Sequence, residues 1–207
     1  MKKVFFASMA ALFFAVQTVP ANAVVVPFTV SATINKVSNV TVSATSVLSA
    51  NSASRSPVIN NQLAMDPMTY NTALGNYLPD HYFVIDTGAT GAGLNVVMTY
   101  AEGNNPNGTG HGLGWKTTGT FFKVTLSGTT ETEAVIATHG DANGKKLLKD
   151  LANETFTTAQ TNGGWLRAYV GVNFAGDPKQ VTGAEMFTNA DAAGAYSGTL
   201  TVTATAV

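Results

Sequence analysis

Apolar and polar residues alternate at both ends of this chain. In residues 24–34 the alternation places five apolar residues on one face: Val26, Phe28, Val30, Ala32 and Ile34. The positions between them are mostly Thr and Ser, and residues 195–207 alternate in the same way around Leu200 and Val202. Strict alternation places one set of side chains on each face of a β-strand. Both segments are therefore predicted to be strands with one buried face.

Short alternating runs of this kind continue through the interior of the chain. They predict strands over the following segments: 37–48, 81–86, 94–100, 121–128, 133–138 and 163–174. Turn residues separate these runs, and the Gly- and Asn-rich segment 103–114 is predicted to be a long loop. Many short strands with turn signals between them are typical of an antiparallel sandwich or barrel. The predicted fold class is all-β.

One segment departs from the period of two. Leu147, Leu148 and Leu151 follow one another at the spacing of a helix face, and charged residues occupy the other positions of residues 141–154. This spacing predicts a half-buried α-helix over 141–154. The all-β fold is thus expected to include one short helix.

The first 23 residues have the features of a secretory signal peptide. Lys2 and Lys3 precede an apolar run, and Ala21-Asn22-Ala23 fits the small-residue pattern of a cleavage site. The apolar run is shorter than the roughly 20 residues that span a bilayer, which disfavours a membrane anchor. We expect export, Val24 as the first mature residue, and a single domain over residues 35–207.

Composition narrows the classes of function. The chain has 11 basic and 12 acidic residues, so it carries no basic excess to neutralise phosphates, and nucleic acid is not an expected partner. It contains no cysteine, which removes thiolate metal sites, thiol nucleophiles and disulfides. His81, His111 and His139 lie far apart, without metal-ligand spacing. No metal or cofactor is expected.

Asp86-Thr87-Gly88 is the segment with the strongest similarity to a catalytic motif, because it matches the loop of an aspartic protease. That chemistry needs two aspartates that share a proton, and a chain with one Asp-Thr-Gly would have to form a homodimer. The alternative is a strand end followed by a Gly-rich turn, with Asp86 bonded to local backbone N–H groups. The sequence favours the second interpretation, and no enzymatic activity or catalytic residue is predicted.

Three large aromatic residues suggest a second class of function. Trp115, Trp165 and Tyr196 are candidates for the lining of a sugar site, beside the long Gly/Asn loop. Filling of the core is the more common role of such side chains. A secreted carbohydrate- or host-binding β-sandwich module is therefore retained as the alternative function.

The two terminal strands raise the question of what covers their edges. An exposed apolar strand edge in a secreted monomer promotes aggregation. Residues 24–34 therefore either pair within their own sandwich or insert into the sandwich of another copy. Insertion of this segment into another copy adds a strand to that copy's sheet. When such insertion runs head to tail and does not close into a ring, it builds a filament.

These features resemble a known family. A predicted signal peptide followed by "VVVPFTVSATI", the ending "GAYSGTLTVTATAV" and the absence of cysteine are similar to the major pilin of colonisation-factor-type fimbriae, the alpha class of the alternate chaperone–usher pathway. The common-pilus major subunit is a close relative with the same features. The resemblance covers about 30 residues at the two ends. Those pilins carry Asp-Pro shortly after the donor segment, whereas this chain has Asn35-Lys36.

The resemblance implies a specific function. It implies an incomplete immunoglobulin-like sandwich that a periplasmic chaperone completes during transit and that residues 24–34 of the next subunit complete at an outer-membrane usher. The donor positions would be Val26, Phe28, Val30, Ala32 and Ile34. The protein would then be the major structural subunit of a cell-surface fimbria, a head-to-tail homopolymer that supports adhesion to a host glycan or receptor.

Overall fold

Alternating sequence produces thirteen strands in the part of the chain that the structure, a computed structural model, describes. That part comprises residues 27–34, 40–47, 62–64, 68–79, 81–89 and 93–207. The strands are β1 (Pro27–Ile34), β2 (Val40–Val47), β3 (Gln62–Ala64), β4 (Thr69–Asn71), β5 (Asn76–Leu78), β6 (Tyr82–Ala89), β7 (Leu94–Glu102), β8 (Thr117–Ser127), β9 (Thr130–Val135), β10 (Lys145–Leu147), β11 (Glu154–Phe156), β12 (Trp165–Val172) and β13 (Gly198–Ala206). The helical segments are 3-10 turns at Leu113–Trp115, Ala137–His139 and Leu148–Asp150, and one α-helix, α1, at Thr158–Thr161.

Two sheets form the sandwich. The first has five strands in the order β11-β7-β13-β1-β3, and the second has the order β10-β8-β12-β6-β2, with β9 also paired to β8. β4 and β5 form a separate hairpin. Every pair is antiparallel except β1 with β13, which run parallel. The all-β sandwich prediction is confirmed.

The main core lies between the inner faces of the two sheets. It takes alternate residues from each central strand, as the period of two requires. The fully buried core residues of the central strands include Phe83 and Ile85, Val96 and Met98, Phe121, Leu166, Ala168, Val170 and Val172, and Leu200, Val202 and Ala204. The predicted apolar parity of the last strand is thus confirmed from Leu200 to Ala204.

A second apolar cluster lies on the outer face of the six-stranded sheet. Tyr82, Val84, Phe122, Val124 and Tyr169 are buried there. The ammonium group of Lys179 lies 4.0 Å from the centre of the Tyr169 ring and 4.5 Å from that of Phe122. Strict alternation would leave the outer face of β12 exposed. The packing of this cluster and Lys179 on that face explains why β12 is buried at nearly every position.

The helix predicted over 141–154 is wrong. The Asp141 carboxylate accepts hydrogen bonds from the N–H groups of Asn143 and Lys145, and Gly144 adopts a positive φ of 67°, so the segment begins as a tight turn. β10, a single 3-10 turn and β11 follow. Leu148 and Leu151 are both buried because that turn directs them into the core, and this accounts for their helix-like spacing. The α-helix lies later, at Thr158–Thr161.

Candidate functional site at the terminal strands

β1 and β13 bring the two ends of the described chain together. They pair in parallel over six residues, from Thr29 opposite Thr199 to Ile34 opposite Ala204. On its other side β1 pairs antiparallel with β3, from Pro27 opposite Ala64 to Thr29 opposite Gln62. β1 therefore occupies an interior position of the five-stranded sheet. We call this position, bordered by β13 and β3, the β1 site.

The β1 site borders β13, a strand with one fully buried face. Leu200, Val202 and Ala204 have no exposed surface, and the Thr residues between them are half-buried. β7 pairs with β13 along its whole length, from Gly198 to Ala206. Because β1 pairs with the other edge, both edges of β13 are hydrogen-bonded. Without β1 that second edge would present unpaired backbone groups next to the core.

The predicted donor residues can be placed by register. Val30 lies opposite Leu200, Ala32 opposite Val202 and Ile34 opposite Ala204. Phe28 lies opposite Leu63 of β3, outside the ladder with β13. Val26 lies outside the described residues. Three of the five predicted positions thus stand beside the buried residues of β13, and one stands beside β3.

Sequence reasoning missed the second neighbour of the β1 site. β3 is a three-residue strand, Gln-Leu-Ala, within residues 49–80, a segment that the sequence predicts to be loops with short strands of unspecified position. A strand this short has no detectable alternation. Across the sandwich, β2 faces the β1 site, and Val42 and Ala44 pack against the main core. The alternation in 37–48 was the signal that predicted β2.

The Asp-Thr-Gly segment forms an ion-pair cluster. Asp86 lies inside β6 rather than at its end, which corrects the predicted position. Its two carboxylate oxygens accept hydrogen bonds from Nε and Nη2 of Arg167, at 2.7 and 3.1 Å. Nη1 of Arg167 donates to Glu131 and Glu133 at 2.8 and 2.9 Å. Only 2% of the Arg167 side chain is exposed.

The cluster keeps its guanidinium charged. Burial alone would lower the pKa of Arg167, but the hydrogen bonds that its guanidinium donates to Asp86, Glu131 and Glu133 raise that pKa above its usual value. A buried arginine with several carboxylate partners is stable only as a fully paired group. The arrangement fastens β6, β9 and β12 to one another on the outer face of the six-stranded sheet.

The three aromatic candidates lie in different environments. Tyr196 is fully buried and its hydroxyl donates to the Ala192 carbonyl at 2.8 Å. The ring of Trp115 stacks on His111 with centres 3.8 Å apart, and the ammonium group of Lys149 lies 4.1 Å from its centre. Trp165 lines an open groove on the outer face of the six-stranded sheet. The structure does not bring the three together as one site.

The histidines have separate partners as well. His81 packs edge-on against Phe83, with ring centres 4.9 Å apart. His111 contacts Glu185, and Nδ1 of His139 lies 2.6 Å from Glu154. These contacts stabilise local structure in three places.

Comparison with known proteins leaves the fold and the geometry as the basis for function. No family model matches the sequence, and neither a curated protein nor a solved structure is significantly similar to it. In the described ranges, no helix has the length and apolar character that crossing a membrane requires.

Proposed function

We propose that this protein is the major structural subunit of a bacterial surface fimbria, in which β1 of one copy enters the β1 site of the next. The observation that carries the proposal is the position of β1, which fills an interior gap of the sheet beside the buried face of β13. The resemblance of both chain ends to fimbrial major pilins supports it. The fold would then be an immunoglobulin-like sandwich completed by strand exchange.

Exchange between copies is physically accessible because it preserves contacts. The β1 site offers the same backbone groups and the same buried neighbours to any copy of β1. Exchange of an identical element between protomers is a low-cost route to assembly, and a head-to-tail exchange that does not close gives a filament. A parallel ladder is also slightly less stable per residue than an antiparallel one.

The apolar positions of the strand set the size of the effect. Burial of a large aliphatic or aromatic side chain contributes roughly 1.5–3 kcal/mol. Five donor positions, Val26, Phe28, Val30, Ala32 and Ile34, with a small Ala among them, would contribute on the order of 5–10 kcal/mol before ordering costs. These side chains would supply the apolar part of the attraction between subunits, and a chain without cysteine has no disulfide to add to it.

The proposal includes the route to the surface. Export would begin with the signal peptide over residues 1–23. A periplasmic chaperone would occupy the β1 site until an outer-membrane usher exchanges it for the next subunit. The partners are therefore other copies of this chain, the chaperone and the usher, and a host glycan or receptor is the expected target of the filament.

A chain that lacks residues 24–34 tests the proposal when it is produced alone and with a synthetic peptide of those residues. We expect the shortened chain to be unstable alone, and the peptide to restore a folded one-to-one complex, measured by thermal unfolding and native mass spectrometry. A peptide with Phe28→Asp or Val30→Asp should restore less, while Ser31→Asp should behave as the unmodified peptide. A shortened chain that remains a stable monomer without any peptide would contradict the proposal.

A further inference from the structure

The outer face of the six-stranded sheet carries an open groove of about 510 Å³. This volume lies within the range of small-molecule sites. Among the described residues, the side chains that line it are Thr41, Ser43, Asp86, Leu126 and Trp165. The groove lies on strands β2, β6, β8 and β12 of the six-stranded sheet. The ladder between β1 and β13 belongs to the other sheet. We call it the Trp165 groove.

Trp165 differs from the other large aromatics in its availability. Tyr196 is buried in the core and Trp115 is stacked on His111. Half-buried Trp165 lines the groove, and its ring has a looser neighbour, the guanidinium carbon of Arg167 at 5.8 Å from the ring centre. Leu126, with 59% of its surface exposed, extends the apolar part of the lining. An aromatic ring at the edge of an open groove offers a flat apolar surface to a ligand.

The rest of the lining is polar and rich in hydroxyl groups. Thr41 and Ser43 supply hydroxyls, which both donate and accept hydrogen bonds. The Asp86 side chain is 22% exposed, and Arg167 fixes its orientation through two hydrogen bonds. A carboxylate oxygen has more than one lone-pair position, so Asp86 can accept from a ligand hydroxyl as well.

The charge around the groove selects against anions. Asp86, Glu131 and Glu133 surround one guanidinium, that of Arg167, and the nearby Lys179 does not reverse the excess of negative charge. Arg167 itself is 2% exposed and its donors face these carboxylates. An anionic ligand would be repelled here.

Glycines open the floor of the groove. A Cβ added at Gly164 would lie 2.0 Å from the carbonyl oxygen of Val124, so the close approach of these strands requires glycine there. A Cβ at Gly88 would make ordinary contacts, 3.5 Å from Cβ of Trp165 and 3.6 Å from Oγ1 of Thr41. Gly88 can therefore accept a side chain, and that side chain would fill the groove.

We propose that the Trp165 groove binds a neutral saccharide. The C–H face of a sugar ring stacks on Trp165, and its hydroxyls bond to Asp86, Ser43 and Thr41. The combination of one apolar ring, one oriented carboxylate and two hydroxyls complements a ligand that has an apolar face and hydroxyls at its rim. This site is independent of strand exchange, because a monomer and a filament subunit would both carry it.

The two tryptophans of the chain make a direct test possible. The purified full-length protein is applied to an array of neutral oligosaccharides that includes the sialylated and sulfated forms of each. The strongest neutral ligand is then titrated into the Trp115→Phe variant, in which Trp165 is the sole source of tryptophan fluorescence. We expect binding to neutral glycans, a saturable change in that fluorescence, and wild-type affinity in this variant.

Two groove variants decide the outcome. Trp165→Ala should weaken binding at least tenfold, and Gly88→Val should do the same by filling the groove while its thermal unfolding stays near that of the wild type. If the folded protein binds none of the neutral glycans on the array, the proposal is overturned. A preference for anionic glycans, or unchanged affinity in folded Gly88→Val and Trp165→Ala, would overturn it as well.

Discussion

The two edges of the sandwich differ in the interactions of their strands: one contains ion pairs, and the other has no ionisable residue in its strands. At the edge where β10 and β11 meet, Glu154 on β11 accepts a hydrogen bond from Lys146 on β10 at 2.5 Å and lies 2.6 Å from His139. This cluster ties one sheet to the other. At the opposite edge lie β3 and β2, with β1 next to β3. The sequences of β1, β3 and β2 are PFTVSATI, QLA and VTVSATSV, and they contain no ionisable residue; we call these three strands the uncharged edge.

The difference bears on the proposed strand exchange. Removal of β11 would break ion pairs and leave charges partly buried, which is costly. Removal of β1 breaks its backbone ladders with β13 and β3, and under the proposed exchange a second copy of β1 would form the same ladders again. The proposed subunit needs a strand that another copy can replace without breaking ion pairs, and the uncharged edge meets that need. At the charged edge the Lys146–Glu154 pair holds β10 to β11.

The largest expected effect is a charge placed at the uncharged edge. Val30→Asp puts a carboxylate beside fully buried Leu200, and an unpaired charge in such a position costs more than about 4 kcal/mol. We expect loss of heat-resistant multimers on denaturing gels of unboiled samples. Ser31→Asp is the matched control, since Ser31 lies opposite half-buried Thr201, and it should assemble normally. Equal assembly of both variants would remove the distinction between the two parities of β1.

The next effect concerns the ion pairs of the six-stranded sheet. Arg167→Met leaves Asp86, Glu131 and Glu133 without their shared partner, and we expect a loss of about 3 kcal/mol in the free energy of unfolding, measured with urea. Glu131→Gln, whose side chain is 43% exposed, should cost less than about 1 kcal/mol. A similar small cost for both variants would mean that the cluster does not fasten the sheet.

The smallest effect is a pH dependence at the charged edge. Burial would raise the pKa of Glu154, but the hydrogen bonds and charges of Lys146 and His139 lower it below the usual 4.5. A lowered carboxyl pKa contributes stability that is complete above the ordinary value and is lost as the pH falls through the folded value. Glu154→Gln should therefore cost on the order of 1 kcal/mol at pH 7.

The control for this effect is the same pair of proteins in acid. The difference in unfolding free energy between wild type and Glu154→Gln should shrink as the pH is lowered from 5 to below 4. A difference that stays constant over this range would show that Glu154 contributes no charge-dependent stability.

Much of the fold follows from alternation alone. The apolar parity of β13 predicts the buried residues Leu200, Val202 and Ala204, and the interior strands fall where the period of two indicates. The parallel pairing of β1 with β13 is not in the sequence, because alternation defines the faces of a strand and says nothing of its neighbours. The segment 49–80 predicts loops with short strands, but a strand of three residues such as β3 is too short for alternation to locate it.

The ion-pair cluster could not be predicted either, because the sequence does not show which strands are neighbours. Asp86 and Arg167 are 81 residues apart, and only the antiparallel register of β6 and β12 places them opposite each other. The helix error at 141–154 has a local origin. A 3-10 turn gives Leu148 and Leu151 the spacing of a helix, and the turn at Asp141 to Gly144 is the feature that excludes one.

The exchange of β1 can be measured directly by a disulfide across the ladder. Ser31 lies opposite Thr201, neighbouring strands are about 4.8 Å apart, and the chain has no cysteine of its own, so Ser31→Cys with Thr201→Cys should form a disulfide on oxidation. Ser31→Cys with Thr205→Cys, four residues out of register, is the control that should not crosslink. For protein assembled through the export pathway, we expect a ladder of covalent multimers on a non-reducing denaturing gel that collapses to one band with reductant. A single monomer band with an internal disulfide would contradict it.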